Sequence, residues 1–331
     1  MTQVLAGDIG GTRARFAVFD ASGKKLVDQD VLESRTFATF EAALHTFLKG
    51  RGKIAAATFG IAGPVVDQRV KTTNLPWVID ARAVAEKFGI PKVTLLNDLV
   101  AVGLGALASP PSKLTVLQNG RPKSEGANLA VIAAGTGLGE ATFIWDGKEH
   151  IACPTEGGHA DFAPKTALEQ ALLNDLAQEH GHVSWERVSS GSSISMLYRF
   201  VLRAERIKES KDAAACIAEA KDTNVAVVEL AESKKSKAAV RAIELWSSMY
   251  GSEAGNLALK CLAAGGVYVA GGVSARLAPI MAKPFLSAFV DKGRMRALLE
   301  KIPVAVALEP RAGLLGAAHH AARTLLRARK K

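Results

Sequence analysis

The chain contains two glycine-rich turns, and each lies between two short apolar runs rich in β-branched and aromatic residues. Residues 6–13 read AGDIGGTR, and residues 133–139 read AAGTGLG. The flanking runs are residues 4–5 and 16–19 for the first turn, and residues 129–132 and 142–145 for the second. Two β-prone runs joined by glycines are typical of a hairpin. The pattern therefore predicts two hairpins with glycine tips, and two ordinary tight hairpins remain the structural alternative.

The remaining hydrophobic pattern alternates between strand-like and helix-like segments. Strands are expected at residues 3–8, 13–20, 25–34, 54–61, 93–96, 267–270 and 303–308. Helices are expected from the N-cap Asp80 to Gly89, over 99–107, after a capping box of Thr166 and Glu169, over 237–261, and from 314 onward. The Ser-Pro-Pro-Ser segment at 109–112 is a plausible domain boundary. This alternation predicts an α/β protein with two domains.

Composition narrows the class of protein. The chain has 331 residues, of which 48% are hydrophobic and 22% charged, with a net charge of +10. These values are typical of a globular enzyme large enough for two cores. The basic charge lies partly in residues 234–237 and in the tail after 323, and no nucleic-acid reader motif accompanies it, so no nucleic-acid partner is expected. No membrane span or signal peptide is expected, and three scattered cysteines favour a reducing cytoplasm.

The glycine turns suggest a phosphate ligand. Successive backbone N–H groups in such a turn form a concavity that binds anions. Neither turn has the Gly-Lys-Ser/Thr of a Walker motif, and neither leads from a strand into a helix as in dinucleotide-binding folds. Two turns of this kind suit a phosphate chain that is held between two domains.

Two polar clusters carry candidate chemistry. Asn97 and Asp98 follow a buried strand, at the sheet edge where α/β proteins bind ligands, and an acid there can act as a general base. Asp98 is equally compatible with a purely structural N-cap of the next helix. Glu156 and His159 lie on one loop with a double glycine between them, and together they can grip adjacent hydroxyl groups. A lone loop histidine, however, is more often an ordinary surface residue.

The chain resembles bacterial glucokinases of the non-zinc type, within the sugar kinase and actin-like ATPase superfamily. The matching segments follow the family order over nearly the whole chain. They are residues 7–12, 62–64, 73–77, 96–98, 134–139, 156–164, 181–188, 270–273 and 313–316. The glycine turns alone indicate only the superfamily, whereas 156–164 and 184–188 are much more specific.

The resemblance implies an α/β, two-domain actin-like ATPase (ribonuclease H-like) fold with the active site in the interdomain cleft. A small domain is expected at 1–109 plus 311–331, and a large domain at 110–310. The implied activity is ATP-dependent phosphorylation of D-glucose at its 6-hydroxyl in the cytoplasm, the first step of glycolysis. ATP and Mg²⁺ are the implied cofactors. Because the family is often dimeric, a homodimer is the corresponding expectation.

The resemblance also assigns roles to individual residues. Asp98 is implied to be the base for the sugar 6-hydroxyl, and Asp8 to face Mg²⁺. The residues implied to bind the sugar are Asn74, Asn97, Glu156, His159 and Glu186. Those implied to bind the ATP phosphates and adenosine are Gly10, Gly11, Thr12, Gly135, Thr136, Gly137, Gly271 and Gly272.

The chain departs from the family pattern at three positions. Ala133 stands where glycine is expected, Glu140 where a small apolar residue is usual, and Trp185 where a small residue is common. An acid at position 140 repels ATP unless its side chain points away from the phosphates. The alternatives are a kinase for another hexose such as fructose, a catalytically silent sugar-sensing regulator, and an actin-like polymer or chaperone ATPase.

Overall fold

Two β-hairpins with glycine tips organise the protein, one in each of two compact units. The computed structural model describes residues 2–72, 75–121 and 126–328. Unit 1 comprises Met1–Lys113, Ala152–Pro154 and Glu309–Lys331, and unit 2 comprises Leu114–Ile151 and Thr155–Leu308. The sequence predicts domains at 1–109 plus 311–331 and at 110–310, and that division stays a prediction.

Unit 1 contains a five-stranded sheet in the order β3-β2-β1-β4-β7. Its strands are β1 Gln3–Ile9, β2 Arg13–Asp20, β3 Leu26–Glu33, β4 Ile54–Ile61 and β7 Val93–Asn97, beside a small two-stranded sheet of β5 Arg69–Lys71 and β6 Val78–Asp80. β1 and β2 form the antiparallel hairpin, and β4 and β7 continue the sheet in parallel. The helices are α1 Phe40–Leu48, α2 Ala81–Phe88, α3 Asp98–Leu107 and α12 Ala312–Ala328.

Alternation along β1 divides the core of unit 1 between the two faces of the sheet. Leu5 and Ile9 pack into an aromatic cluster in which the Phe40 and Phe59 rings lie 5.1 Å apart. The neighbouring residues of β1 face the other way, toward the alanine-rich surface of α12. A Cβ atom added at Gly316 would overlap the carbonyl of Ala101. The backbones of α12 and α3 are therefore in direct contact where the two helices cross. This packing fixes the start of α3, where Asp98 stands.

Unit 2 repeats the same strand arrangement and adds one strand. Its sheet has the order β11-β10-β9-β12-β13-β8. The strands are β8 Leu114–Gln118, β9 Leu129–Ala134, β10 Leu138–Trp145, β11 His150–Thr155 (of which Ala152–Pro154 are grouped with unit 1), β12 Gly266–Ala270 and β13 Val304–Ala307. β9 pairs antiparallel with β10 and parallel with β12, as β1 pairs with β2 and β4 in unit 1. The internal repeat that the sequence predicts in the two turns therefore extends to whole sheets.

The helices of unit 2 enclose its larger core. They are α4 Ala167–His180, α5 Trp185–Ser189, α6 Ile194–Ala204, α7 Lys211–Glu219, α8 Thr223–Glu232, α9 Lys237–Lys260, α10 Gly272–Val290 and α11 Arg296–Leu299. The Tyr250 hydroxyl of α9 donates to the carbonyl of Ile132 at 3.2 Å and accepts from the N–H of Ala134 at 3.2 Å. α9 is thereby tied to the strand that leads into the second glycine turn.

Several local predictions are confirmed, and one sequence expectation needs qualification. Asp80 caps α2, which ends at Gly89 with φ 62°, and Thr166 and Glu169 form the capping box of α4. Although no span was expected, α10 is long and apolar enough by composition alone to cross a membrane. Its Leu277, Met281, Phe285 and Phe289 nevertheless lie in the core of unit 2, so here it is a core helix.

Candidate active site

The first glycine turn, in unit 1, is braced by its neighbouring segment. Gly10 donates to the carbonyl of Arg13 at 3.0 Å, which closes the turn between β1 and β2. The buried Ser34 donates through its hydroxyl to the carbonyl of Gly10 at 2.8 Å and through its N–H to the carbonyl of Thr12 at 2.9 Å. With these carbonyls engaged, the turn is held in one conformation. Its backbone N–H groups are the natural donors to an anion.

Asp8 lies at the end of β1 beside this turn. Its Oδ2 accepts from Arg15 Nη1 at 3.0 Å. Burial raises the pKa of Asp8, and the charge and hydrogen bond of Arg15 oppose that rise. Among the described residues no group of three or more metal-ligating side chains occurs. A single partly exposed carboxylate fits Mg²⁺, which keeps several waters and binds one or two carboxylates together with substrate phosphates.

The second glycine turn, in unit 2, is braced in the same manner. Gly135 donates to the carbonyl of Gly137 at 2.9 Å. Gly191 donates to the carbonyl of Gly135 at 2.8 Å, and Ser192 Oγ donates to the carbonyl of Thr136 at 2.7 Å. Serine braces at both turns were not predicted, because a single serine outside a glycine motif carries no sequence signal.

A pocket of about 540 Å³ opens beside the second turn. It brings together Gly135, Thr136 and Gly272, three of the predicted nucleotide-binding residues. Gly271 precedes α10 with φ 98°, and a Cβ there would lie 2.7 Å from the carbonyl of Ala134, so glycine is required. The remaining wall, which sequence reasoning missed, includes Ile194, Asn224, Val225, Val228, Val273 and Leu277. A mostly apolar wall next to backbone donors suits a nucleoside that carries phosphates.

Asn97, and not Asp98, caps helix α3. Asn97 Oδ1 accepts from the N–H of Leu99 at 2.9 Å, and its Nδ2 donates to the carbonyl of Gly63 at 3.3 Å. Nδ2 carries a second hydrogen, which leaves a donor for a ligand. Asp98 is the first residue of α3. Its Oδ1 also accepts from the N–H of Leu99 at 2.9 Å, so both side chains hydrogen-bond to the first turn of α3, while the N-cap position itself belongs to Asn97.

Glu186 connects the loop of Glu156 and His159 to the second glycine turn. Glu186 Oε2 accepts from the N–H of Leu138 at 2.9 Å, and its Oε1 lies 3.9 Å from His159 Nδ1. A Cβ at Gly137 would overlap the Glu186 carboxylate. Ser184 caps the short helix α5 that carries Glu186. Two of the predicted sugar-binding residues and the predicted phosphate turn therefore adjoin one another within unit 2.

A second pocket of about 520 Å³ borders His159 and Glu186. Its polar wall also includes His180, His182, Ser184, Arg187, Ser192 and Arg199. Trp185 is excluded from the site, because it is 3% exposed and packs edge-on against Phe162 at 5.0 Å. Asn74, also predicted to bind sugar, lies outside the described residues.

Comparison with known proteins shows close relatives over the whole length. A family model described as Glucokinase matches residues 5–324. The glucokinase of Nostoc punctiforme is 39% identical over 341 residues, covering 98% of this chain and 100% of that protein. The glucokinase of Shigella dysenteriae is 33% identical over 324 residues, covering 97% of each.

Solved structures agree with this family and with the fold. The crystal structure of a glucokinase from an Antarctic psychrotroph matches with a TM-score of 0.80 and 28% identity, over 98% of this chain and 99% of that chain. A ROK family glucokinase from Streptomyces griseus, solved in complex with glucose and AMPPNP, matches with a TM-score of 0.65 and 21% identity, over 97% and 99%. At that identity the second likeness concerns the fold alone, and the fold is the expected actin-like one.

Proposed function

The chain belongs to the glucokinase family, and we propose that it transfers the γ-phosphoryl group of ATP to the 6-hydroxyl of D-glucose in the cytoplasm, as the first step of glycolysis. One observation within the site supports this reading most directly. Glu186 holds the N–H of Leu138 in the phosphate turn while its other oxygen faces His159. A sugar hydroxyl ligand and a phosphate turn are thus joined through one carboxylate, as a sugar kinase requires.

The chemical step is an in-line displacement at phosphorus. The glucose 6-oxygen forms a bond to the γ-phosphorus while the bond from that phosphorus to the β,γ-bridging oxygen breaks and ADP leaves. Asp98 accepts the proton of the 6-hydroxyl. Phosphoryl transfer depends chiefly on positioning and charge stabilisation, and a general base typically contributes about 10²–10⁴-fold in rate.

The sugar is held by charge-assisted hydrogen bonds. In this proposal Glu156, His159 and Glu186 bind the hydroxyls that do not react, and the second Nδ2 hydrogen of Asn97 is a further donor. Asn74 completes this set in the proposal. Each bond that involves a charged group is worth about 1.5–3 kcal/mol. A sugar with the wrong stereochemistry leaves such a group unpaired, which gives the discrimination between epimers.

The nucleotide is held mainly by backbone groups. The N–H groups of Gly10, Gly11 and Thr12 and those of residues 135–137 bind the phosphates, while Gly271 and Gly272 adjoin the adenosine. When bound, Mg²⁺ supplies charge neutralisation on the phosphates, and Asp8 would hold it through water. Arg15 keeps the Asp8 carboxylate oriented for that purpose.

The proposal also includes the cellular compartment and the oligomeric state of the protein. The described cysteines, Cys153, Cys216 and Cys261, are all free thiols, which supports a reducing cytoplasm. We include a homodimer because it is the usual state of the family.

A panel of hexoses assayed with ATP tests the substrate. The proposal expects rapid, ATP-dependent formation of glucose 6-phosphate and poor turnover of glucose epimers. Fructose turnover with negligible glucose turnover would transfer the assignment to another hexose kinase. Sugar binding without turnover of any hexose would indicate a silent sensor.

A further inference from the structure

Glu140 is a buried acid that the proposed reaction does not use. It stands in β10, three residues after Gly137, and its side chain is 1% exposed. Its Oε1 has no hydrogen-bond partner within the described part of the chain. Because burial of a carboxyl group without full hydrogen bonding is costly, this residue needs an explanation.

The carboxyl group of Glu140 lies directly beneath the sugar loop, defined here as residues 156–159. A Cβ on Gly157 would overlap Oε2 of Glu140, so the acid contacts the loop backbone where only glycine fits. The loop is also tied down by Thr155, whose Oγ1 accepts from the N–H of Gly157 at 2.9 Å. The backbone between Glu156 and His159 therefore rests on the side chain of Glu140.

A hydrogen-bonded group of charges faces Glu140 from α9. Lys260 Nζ donates to Glu253 Oε1 at 3.2 Å, and Asn256 Nδ2 donates to Glu253 Oε2 at 2.7 Å. Beyond them, Lys292 Nζ donates to Asn256 Oδ1 at 2.6 Å. Both carboxyl oxygens of Glu253 are therefore engaged by donors on its own helix. Tyr250 of α9 also faces Glu140, and burial raises the pKa of its phenol far above neutrality.

Glu140 is consequently the protonated partner at neutral pH. Burial first, and then the charge of Glu253, raise the pKa of Glu140 to about 8, against the opposing effect of Lys260. Glu140 therefore adds little negative charge near the phosphate turn at neutral pH, which answers the repulsion that an ionised acid at this position would otherwise cause. The sugar loop adds two ionisable groups of its own, Glu156 and His159.

We propose that Glu140 is a positioning residue for glucose binding, whose carboxyl group supports Gly157 and thereby sets the places of Glu156 and His159. This inference rests on the proposed function, since it takes the sugar loop as the glucose site. When Glu140 ionises, two adjacent buried carboxylates repel each other, and the support under the loop is lost. Glucose affinity should fall, while ATP affinity should change little.

The first test is the pH dependence of the glucose KM. If only the protonated form binds glucose well, the glucose KM of the wild type should rise about twofold at pH 8 and about tenfold at pH 9 relative to pH 7. Glu140→Gln mimics the protonated acid and should give a flat profile near the neutral wild-type value. An unchanged alkaline rise in Glu140→Gln overturns the proposal.

Control variants separate this effect from general damage. Glu209→Gln removes a carboxylate of the same unit that contacts Tyr198 and Ser236 instead of the sugar loop, and should retain the wild-type rise. Burial lowers the pKa of Lys292 to about 8, so Lys292→Gln tests whether that lysine is responsible. The proposal expects the glucose KM of Lys292→Gln to rise at alkaline pH as it does in the wild type. Should Glu140→Gln fold poorly, Glu140→Ala also lacks the titration and should show a raised but pH-independent glucose KM.

A second readout does not depend on activity. Amide hydrogen-exchange protection factors of the sugar loop, which are corrected for intrinsic rates, should fall between pH 7 and pH 9 in the wild type and stay constant in Glu140→Gln. If no sugar is phosphorylated but this pattern appears, the proposed function fails and the support of the loop by Glu140 stands. If glucose is phosphorylated and the loop protection is equal in both proteins at every pH, the inference about Glu140 fails.

Discussion

Glu186 Oε2 accepts a hydrogen bond of 2.9 Å from the backbone N–H of Leu138. This contact joins a residue of the proposed sugar site to the strand that leaves the phosphate turn. The two substrates are therefore expected to be coupled through one side chain.

Two substitutions at Glu186 should separate its two roles. Glu186→Gln keeps an oxygen for the N–H of Leu138 but loses the charge toward the sugar, so the glucose KM should rise about 10–150-fold with little change in the ATP KM. Glu186→Ala also frees the N–H of Leu138, and both KM values should rise. Steady-state kinetics with each substrate varied in turn measure the difference. Equal effects of the two variants on the ATP KM would contradict the coupling.

Ser34 should matter for ATP although it belongs to no motif. Ser34→Ala removes the hydroxyl that donates to the carbonyl of Gly10, and the first turn should lose its fixed shape. A hydrogen bond of this kind is worth about 0.5–1.5 kcal/mol, so the ATP KM should rise about 2–12-fold. Ser22→Ala, an exposed serine of the same unit whose hydroxyl contacts Asp20, is the matched control and should be silent. An unchanged ATP KM in Ser34→Ala would show that the turn does not need the hydrogen bond from Ser34.

Asn97→Ala should reduce stability more than Asp98→Asn does. Asn97 caps α3, and loss of an N-cap typically costs about 1 kcal/mol of unfolding free energy. Asp98→Asn leaves that cap in place, and its melting temperature should stay close to the wild-type value. Thermal and denaturant unfolding of the two variants provide the comparison. Equal destabilisation would return Asp98 to a structural role.

The core of unit 1 should weaken in acid because of a buried histidine. His320 Nδ1 lies 3.1 Å from the hydroxyl of Thr58, and burial, aided by nearby arginines, lowers the pKa of His320 to about 4. Between about pH 6.5 and pH 4 the unfolded chain binds the extra proton and the folded chain does not, so stability falls as the pH falls through this window. His320→Gln should lose less stability on acidification than the wild type, whereas the exposed His45→Gln should behave like the wild type. Parallel pH profiles of all three proteins would refute this assignment.

The sequence predicted the parts of the fold that local patterns encode. Glycine turns between apolar runs gave the two hairpins, and the N-cap Asp80 with its terminal Gly89 gave α2 almost to the residue. The strand β8 was missed, because Leu114–Gln118 is short and is defined by its pairing with the distant β13.

Within the site, the predicted residues were those that carry motifs, and the missed ones act through distant contacts. Ser34, Ser192 and Asn224 have no local signal, since their positions depend on how separate segments pack. Similarly, the sequence raised the question of Glu140 but not its answer, because Glu253 is more than a hundred residues away. Whether Glu140 faces the phosphates depends on the direction of its side chain from β10 and on its burial against α9.

The most direct test of the account is turnover by the wild type and by Asp98→Asn at saturating ATP, Mg²⁺ and D-glucose, with glucose binding measured in parallel by calorimetry. We predict that the wild type forms glucose 6-phosphate and ADP in equal amounts, and that Asp98→Asn binds glucose with unchanged affinity but turns over about 10²–10⁴-fold more slowly. Near-native turnover by Asp98→Asn, or a wild type that binds glucose without forming the 6-phosphate, would contradict the account.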